Sequence, residues 1–158
     1  MQTSDQKNSL ILNAVAGLKP DAVVIVATVR ALKYNGGVPK AELNNENLEA
    51  LKKGIPNLLK HVENITVKYG LPAVVAINAF PTDTEAELNL VKEECKRYNV
   101  NAVLSEVWAK GGEGGLELGR EVLRLIDEGE NNFKQIYDLD MGLKDKIRTI
   151  AREIYGDD

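Results

Sequence analysis

Histidine and cysteine are almost missing from this chain: His61 and Cys95 stand alone among its 158 residues. A lone cysteine closes no internal disulfide, and one histidine with one cysteine makes no cluster at zinc spacing, so no metal site is expected. Long apolar runs are missing too. None approaches the roughly 18 to 20 residues that span a bilayer, and Met1-Gln-Thr-Ser-Asp-Gln-Lys7 lacks the charged-then-apolar pattern of a signal peptide. The expectation is a soluble, cytoplasmic protein without a membrane partner. An excess of positive charge is also lacking. With a formal net charge of -4 and lysines scattered among acidic residues, no continuous basic stripe forms for nucleic acid. Aromatic residues are sparse at 5%, which makes the position of each one informative.

What the sequence does contain is short β-branched runs separated by helical patterns. Ala22–Val29 is an apolar run rich in β-branched residues and too short for a long buried helix, so it reads as a strand buried on both faces. Pro72–Asn78 and Asn101–Val107 read the same way, with room for a helix between each pair. That rhythm predicts βαβ units: an α/β fold in three layers, with a mostly parallel sheet and helices on both faces.

The connecting segments carry 3.6-residue periodicity. From Leu43 to Tyr69 the apolar positions Leu48, Leu51, Ile55, Leu58, Leu59, Val62 and Ile65 recur three or four apart, and Pro56 inside them predicts a kink or two helices. Thr84–Tyr98 is the next helix. Thr82 with Glu85, or Thr84 with Glu87, fits the capping box that satisfies the free amides of a first turn. Leu116–Ile126 follows, with Asp127–Asn132 as its polar exit. Leu143–Tyr155 is a C-terminal helix, and Ser9–Ala16 reads as a short leading helix stopped at Gly17. The organisation expected is an atypical leading segment, 1–16, before a single domain, 17–158. His61 is expected at the surface and Cys95 in the core.

In open parallel sheets ligands bind beyond the carboxyl ends of the strands, where loops converge and helix amides point outward. This chain puts its least ordinary residues there. Arg30 and Lys33 follow the first strand, ahead of the Gly36–Gly37 pair that permits a tight backbone excursion. The two side chains either pair with an anionic ligand or are solvated on a helix. Phe80 and Pro81 follow the second strand. Trp108, the only tryptophan, follows the third. Phe80 and Trp108 either clamp a flat heterocycle between them or close the end of the core. Gly111, Gly112, Glu113, Gly114 and Gly115 lead into a helix, so their amides either bind an anion or form a flexible loop. They do not match the Walker A pattern, which requires Lys-Ser or Lys-Thr after its last glycine. Glu106 acts as an acid or base only if it is buried near a partner. No residue is assigned as catalytic.

Three long motifs carry a resemblance. They are Leu18-Lys-Pro-Asp-Ala-Val-Val-Ile-Val-Ala-Thr-Val-Arg-Ala-Leu-Lys33 with Gly36-Gly37, Val75-Ala-Ile-Asn-Ala-Phe-Pro-Thr-Asp-Thr-Glu85, and Glu106-Val-Trp-Ala-Lys-Gly-Gly-Glu-Gly-Gly115. From Gly17 to about Gly156 the chain resembles an internal segment of formyltetrahydrofolate synthetase, the formate–tetrahydrofolate ligase. The resemblance implies a P-loop NTPase-like fold and a reaction in which ATP, Mg and formate give formyl phosphate, which the folate amine attacks. It also implies that Phe80 and Trp108 sandwich the pterin ring, with Pro81 alongside, and that Gly111–Gly115 lines the cleft. The phosphate loop of that family lies upstream of the matching segment. The expectation is therefore a fragment that keeps part of the folate site and is inactive alone, with self-association through uncovered sheet as a further expectation. The alternative is an engineered or structural α/β domain that binds no ligand.

Overall fold

The computed structural model describes residues 18–156. The helix expected over Ser9–Ala16 lies outside the described residues. Three strands, β1 (Val23–Ala27), β2 (Ala73–Asn78) and β3 (Asn101–Ser105), form one sheet in the order β1-β2-β3. Both pairings are parallel, with Ile25 opposite Val75 and Val75 opposite Ala102. The β-branched run of the first motif ends two residues earlier than its composition implies. Thr28 leaves the strand to cap a helix, its hydroxyl accepting from the Ala31 amide at 3.1 Å.

That helix, α1 (Val29–Asn35), occupies what the sequence presents as a loop, and Gly36 and Gly37 end it. Gly37 has φ +99, a conformation open to glycine at little cost. Helix α2 (Leu48–Glu63) starts at Asn47, whose side chain accepts from the Ala50 amide at 2.9 Å. It runs unbroken through Pro56, whose side chain lies on the exposed face. The irregularity comes later, as a wider π-type turn over Asn64–Lys68. Helices α1 and α2 cross closely through two glycines. A Cβ on Gly36 would lie 1.8 Å from the Ala50 carbonyl oxygen, and one on Gly54 would lie 1.9 Å from that of Leu32.

Helix α3 (Glu85–Arg97) opens with the second of the two capping boxes, Thr84 with Glu87. After β3 come a single turn α4 (Val107–Lys110), a tight 3-10 turn over Gly111–Gly115, and α5 (Leu116–Glu128). Helix α6 (Leu143–Ile150) continues into another wide turn, Ala151–Tyr155. Lys68 and Glu153 pair at 2.8 Å, tying that turn to the one after α2.

One face of the sheet presents Ile25, Ala27, Ala73, Val75 and Ile77 to α2 and α3, where Leu51, Ile55, Leu58, Val62, Val91 and Cys95 complete the main core. Burying a Leu, Ile or Val side chain contributes about 1.5–3 kcal/mol, so this cluster dominates stability. On the other face α5 packs over β3 and β2, covering Val74 and Ala76. Its main contacts are with those two strands. Val24 and Val26 remain 39% and 56% exposed, so among the described residues β1 is an edge strand buried on one face only, contrary to the expectation from its apolar run. No helix among the described residues is long and apolar enough to cross a membrane.

Candidate functional site

Parallel strands bring their carboxyl ends to one edge, and there the three motifs meet. The Ala79 amide donates to the Ser105 carbonyl at 3.3 Å, so the segments leaving β2 and β3 depart side by side. Arg30 lies in the first turn of α1. Its guanidinium carbon sits 5.6 Å from the centroid of the Phe80 ring, within cation–π range. Phe80 is half-buried, and its amide donates to Asp83 Oδ2 at 2.9 Å. The Asp83 amide donates back to the Phe80 carbonyl at 2.9 Å, which closes the Phe80–Asp83 turn.

The other oxygen of Asp83, Oδ1, is buried and meets no hydrogen-bond donor. Burial pushes the Asp83 carboxyl above its ordinary range, and the negative Glu87 adds to that. The Phe80 amide and the positive Lys33 and Arg30 only partly oppose the rise.

Trp108 is 70% exposed, which rules out its closing the end of the core. Glu106 is not a buried acid or base. It is half-exposed and paired with Lys110 at 2.6 Å. The glycines that follow are not a floppy loop. The Gly114 carbonyl accepts from the Glu106 amide at 3.0 Å, and a Cβ on Gly114 would lie 2.4 Å from the Glu106 carbonyl carbon and oxygen. Gly111 has φ +58, and nothing stands within 4 Å of where a Cβ on Gly111 or Gly112 would be. Gly111, Gly112 and Glu113 are exposed beside Trp108 in sequence.

Residues 4–158 match the family model of formate--tetrahydrofolate ligase. The chain belongs to the formate–tetrahydrofolate ligase family. The matched span takes in residues 4–16, which the three motifs leave outside the resemblance. Within this ligase-family chain the structure brings Arg30 onto Phe80, leaves Trp108 open, and removes Lys33 from any ligand-facing role. Lys33 is wholly buried, with Nζ 2.9 Å from Glu87 Oε1 and 2.9 Å from the Asn45 carbonyl oxygen. His61, expected at the surface, is buried at 8% exposure, because the helix turns that position toward the core. Cys95 is fully buried, as its place on the apolar stripe of α3 implies.

Two residues beneath the site escape sequence reading. Glu87 is legible as a capping-box member, but its pairing with Lys33 is not, because the two lie on different helices and no local pattern links them. Asp83 is legible only as one acidic residue in a helix-start cluster. Nothing in that cluster signals a buried oxygen without a partner.

Proposed function

We propose that this chain carries the pterin-binding portion of a formate–tetrahydrofolate ligase site, at the carboxyl edge of its sheet. The observation that carries the reading is the presentation of two aromatic side chains by adjacent strand ends. Phe80 has Arg30 over its ring, and Trp108 is largely exposed to incoming ligand. A pterin is a flat heterocycle, and each aromatic stack contributes about 0.5–1.5 kcal/mol beyond the area it buries. Arg30 supplies positive charge at the same edge, suited to an anionic part of the ligand.

The chemistry proposed for the whole site is attack by the folate amine on formyl phosphate made from ATP and formate. Phosphoryl transfer rests on charge positioned around the phosphates. These 158 residues contain no Gly-rich loop followed by Lys-Ser or Lys-Thr. Among the described residues no three His, Cys, Asp or Glu side chains gather as a metal-holding group. The residues described do not fit an ATP·Mg site. Their part is to bind and orient the folate, within an architecture we take to be P-loop NTPase-like. The parallel sheet with helices on both faces is consistent with such a setting.

Trp108 is the sole tryptophan, so its fluorescence reports on this site alone. Tetrahydrofolate added to the purified chain should change that fluorescence saturably, and Phe80→Ala should weaken the response. An unchanged spectrum at millimolar ligand would overturn the proposal.

A further inference from the structure

Beneath the Phe80–Asp83 turn lies an ion pair with no exposure on either side. Lys33 Nζ and Glu87 Oε1 are 2.9 Å apart, and both side chains are 0% accessible. Both members of the pair are engaged further. Lys33 also donates to the Asn45 carbonyl at 2.9 Å, Glu87 Oε1 accepts from the Asn47 amide at 3.0 Å, and Glu87 Oε2 accepts from the Thr84 amide at 3.2 Å. The pair thus joins α1, the segment that starts α2, and the first turn of α3.

Removing two charges from water is expensive, and a buried pair seldom contributes more stability than apolar side chains of the same volume. Its contribution here is geometric. Arg30 precedes Lys33 by three residues on α1 and so lies on the same side of the helix. The Phe80–Asp83 turn runs directly into Thr84, the residue whose amide Glu87 holds. Fixing Lys33 against Glu87 therefore fixes where the Arg30 guanidinium stands over the Phe80 ring.

We infer that Lys33 and Glu87 are positioning residues for the site: their buried pair sets the Arg30–Phe80 stack and the shape of the turn presenting Phe80. Neither touches ligand. The consequence for folate binding rests on the function proposed above, but the consequence for the turn does not.

The test compares the wild type with Lys33→Met, Glu87→Gln and the double variant. Each single change strands a buried charge or removes its partner and is expected to lower the melting temperature. The double variant leaves no uncompensated charge, and its new amide side chain keeps an oxygen to accept from a backbone amide, so it should melt closer to wild type.

Amide hydrogen exchange of the folded double variant is then read at two places. Phe80 and Asp83 should exchange at least tenfold faster, while Val75 and Ile77 in β2 keep wild-type rates. Tetrahydrofolate, titrated against Trp108 fluorescence, should bind at least tenfold more weakly. Unchanged exchange at Phe80 and Asp83 overturns the inference, as does acceleration spread equally through β2, which marks a purely global effect. Faster exchange confined to the turn, in a protein whose wild type shows no response to folate, upholds the positioning role and sinks the folate reading instead.

Discussion

Arg30 stands over Phe80 with its guanidinium carbon 5.6 Å from the ring centroid, so one face of that ring is already occupied before any ligand arrives. A flat ligand stacking on Phe80 must use the remaining face or displace the arginine. The proposed stacking draws on the π surface of the ring and not on its apolar volume alone. Phe80→Leu keeps most of the volume and removes the π face. Its expected effect is a loss of about 0.5–1.5 kcal/mol in folate binding, up to roughly tenfold in Kd, with little change in melting temperature. Titration of Trp108 fluorescence in both proteins measures it. Equal affinities would show that stacking on Phe80 contributes nothing.

Exposure separates the second ring from the core. At 70% accessibility Trp108 has little packing to lose, and surface substitutions of that kind change stability by no more than about 0.5 kcal/mol. Trp108→Ala should therefore unfold in urea almost where the wild type does. Leu51→Ala, at a position with 0% exposure on the buried face of α2, should cost about 2–5 kcal/mol. If the two midpoints shift equally, Trp108 is packed, and it cannot serve as an open stacking surface.

Strand β2 and the helices on either side of it were legible because their patterns are local. Ala73–Asn78 differs by one residue from the apolar run that predicts it, and of the two capping boxes that fit the start of α3 the structure forms the one at Thr84. The failures have a common cause in tertiary structure. Val24 and Val26 read as buried, yet among the described residues α5 packs mainly over β2 and β3, and both valines stay exposed. Pro56 reads as a break, yet its ring falls on the exposed side of α2, where the lost amide hydrogen bond is tolerated without interrupting the helix. Lys33 reads as a solvated or ligand-binding cation until Glu87 arrives from another helix. The site follows the same rule. That three strand ends converge is readable from the βαβ rhythm, but Arg30 covering Phe80 depends on how α1 is docked.

The glycines after Trp108 differ from one another, and substitution should reveal it. A Cβ on Gly114 would lie 2.4 Å from the Glu106 carbonyl group, where backbone must move. At Gly112 nothing stands within 4 Å, and no positive φ opposes a side chain. Gly112→Ala should therefore be neutral to slightly stabilising, up to about 1 kcal/mol, because alanine restricts the unfolded chain. Gly114→Ala should cost about 1–3 kcal/mol as the Glu106–Gly115 segment shifts, and folate binding should weaken with it. Thermal melts with ligand titration distinguish the pair. Identical behaviour would mean the 3-10 turn does not rest on Glu106.

Alkaline pH should loosen the core through two buried acids. Burial pushes the Cys95 thiol up to about 11 from its ordinary 9.0, with negative Glu94 adding to the effect. Burial likewise raises the Tyr69 hydroxyl to about 12 from 10.0, with Tyr137 adding to the effect. Each group ionises in the unfolded chain before it does in the folded one, so the unfolded state gains stability first. The contribution of Cys95 is intact below pH 9 and is lost as the pH climbs toward 11. That of Tyr69 follows between 10 and 12. Urea midpoints measured from pH 8 to 10.5 should fall, and Cys95→Ala should flatten the first part of the decline, although its truncated side chain lowers the starting stability. A variant that declines as steeply as the wild type between pH 9 and 10 would remove the thiol as the titrating group.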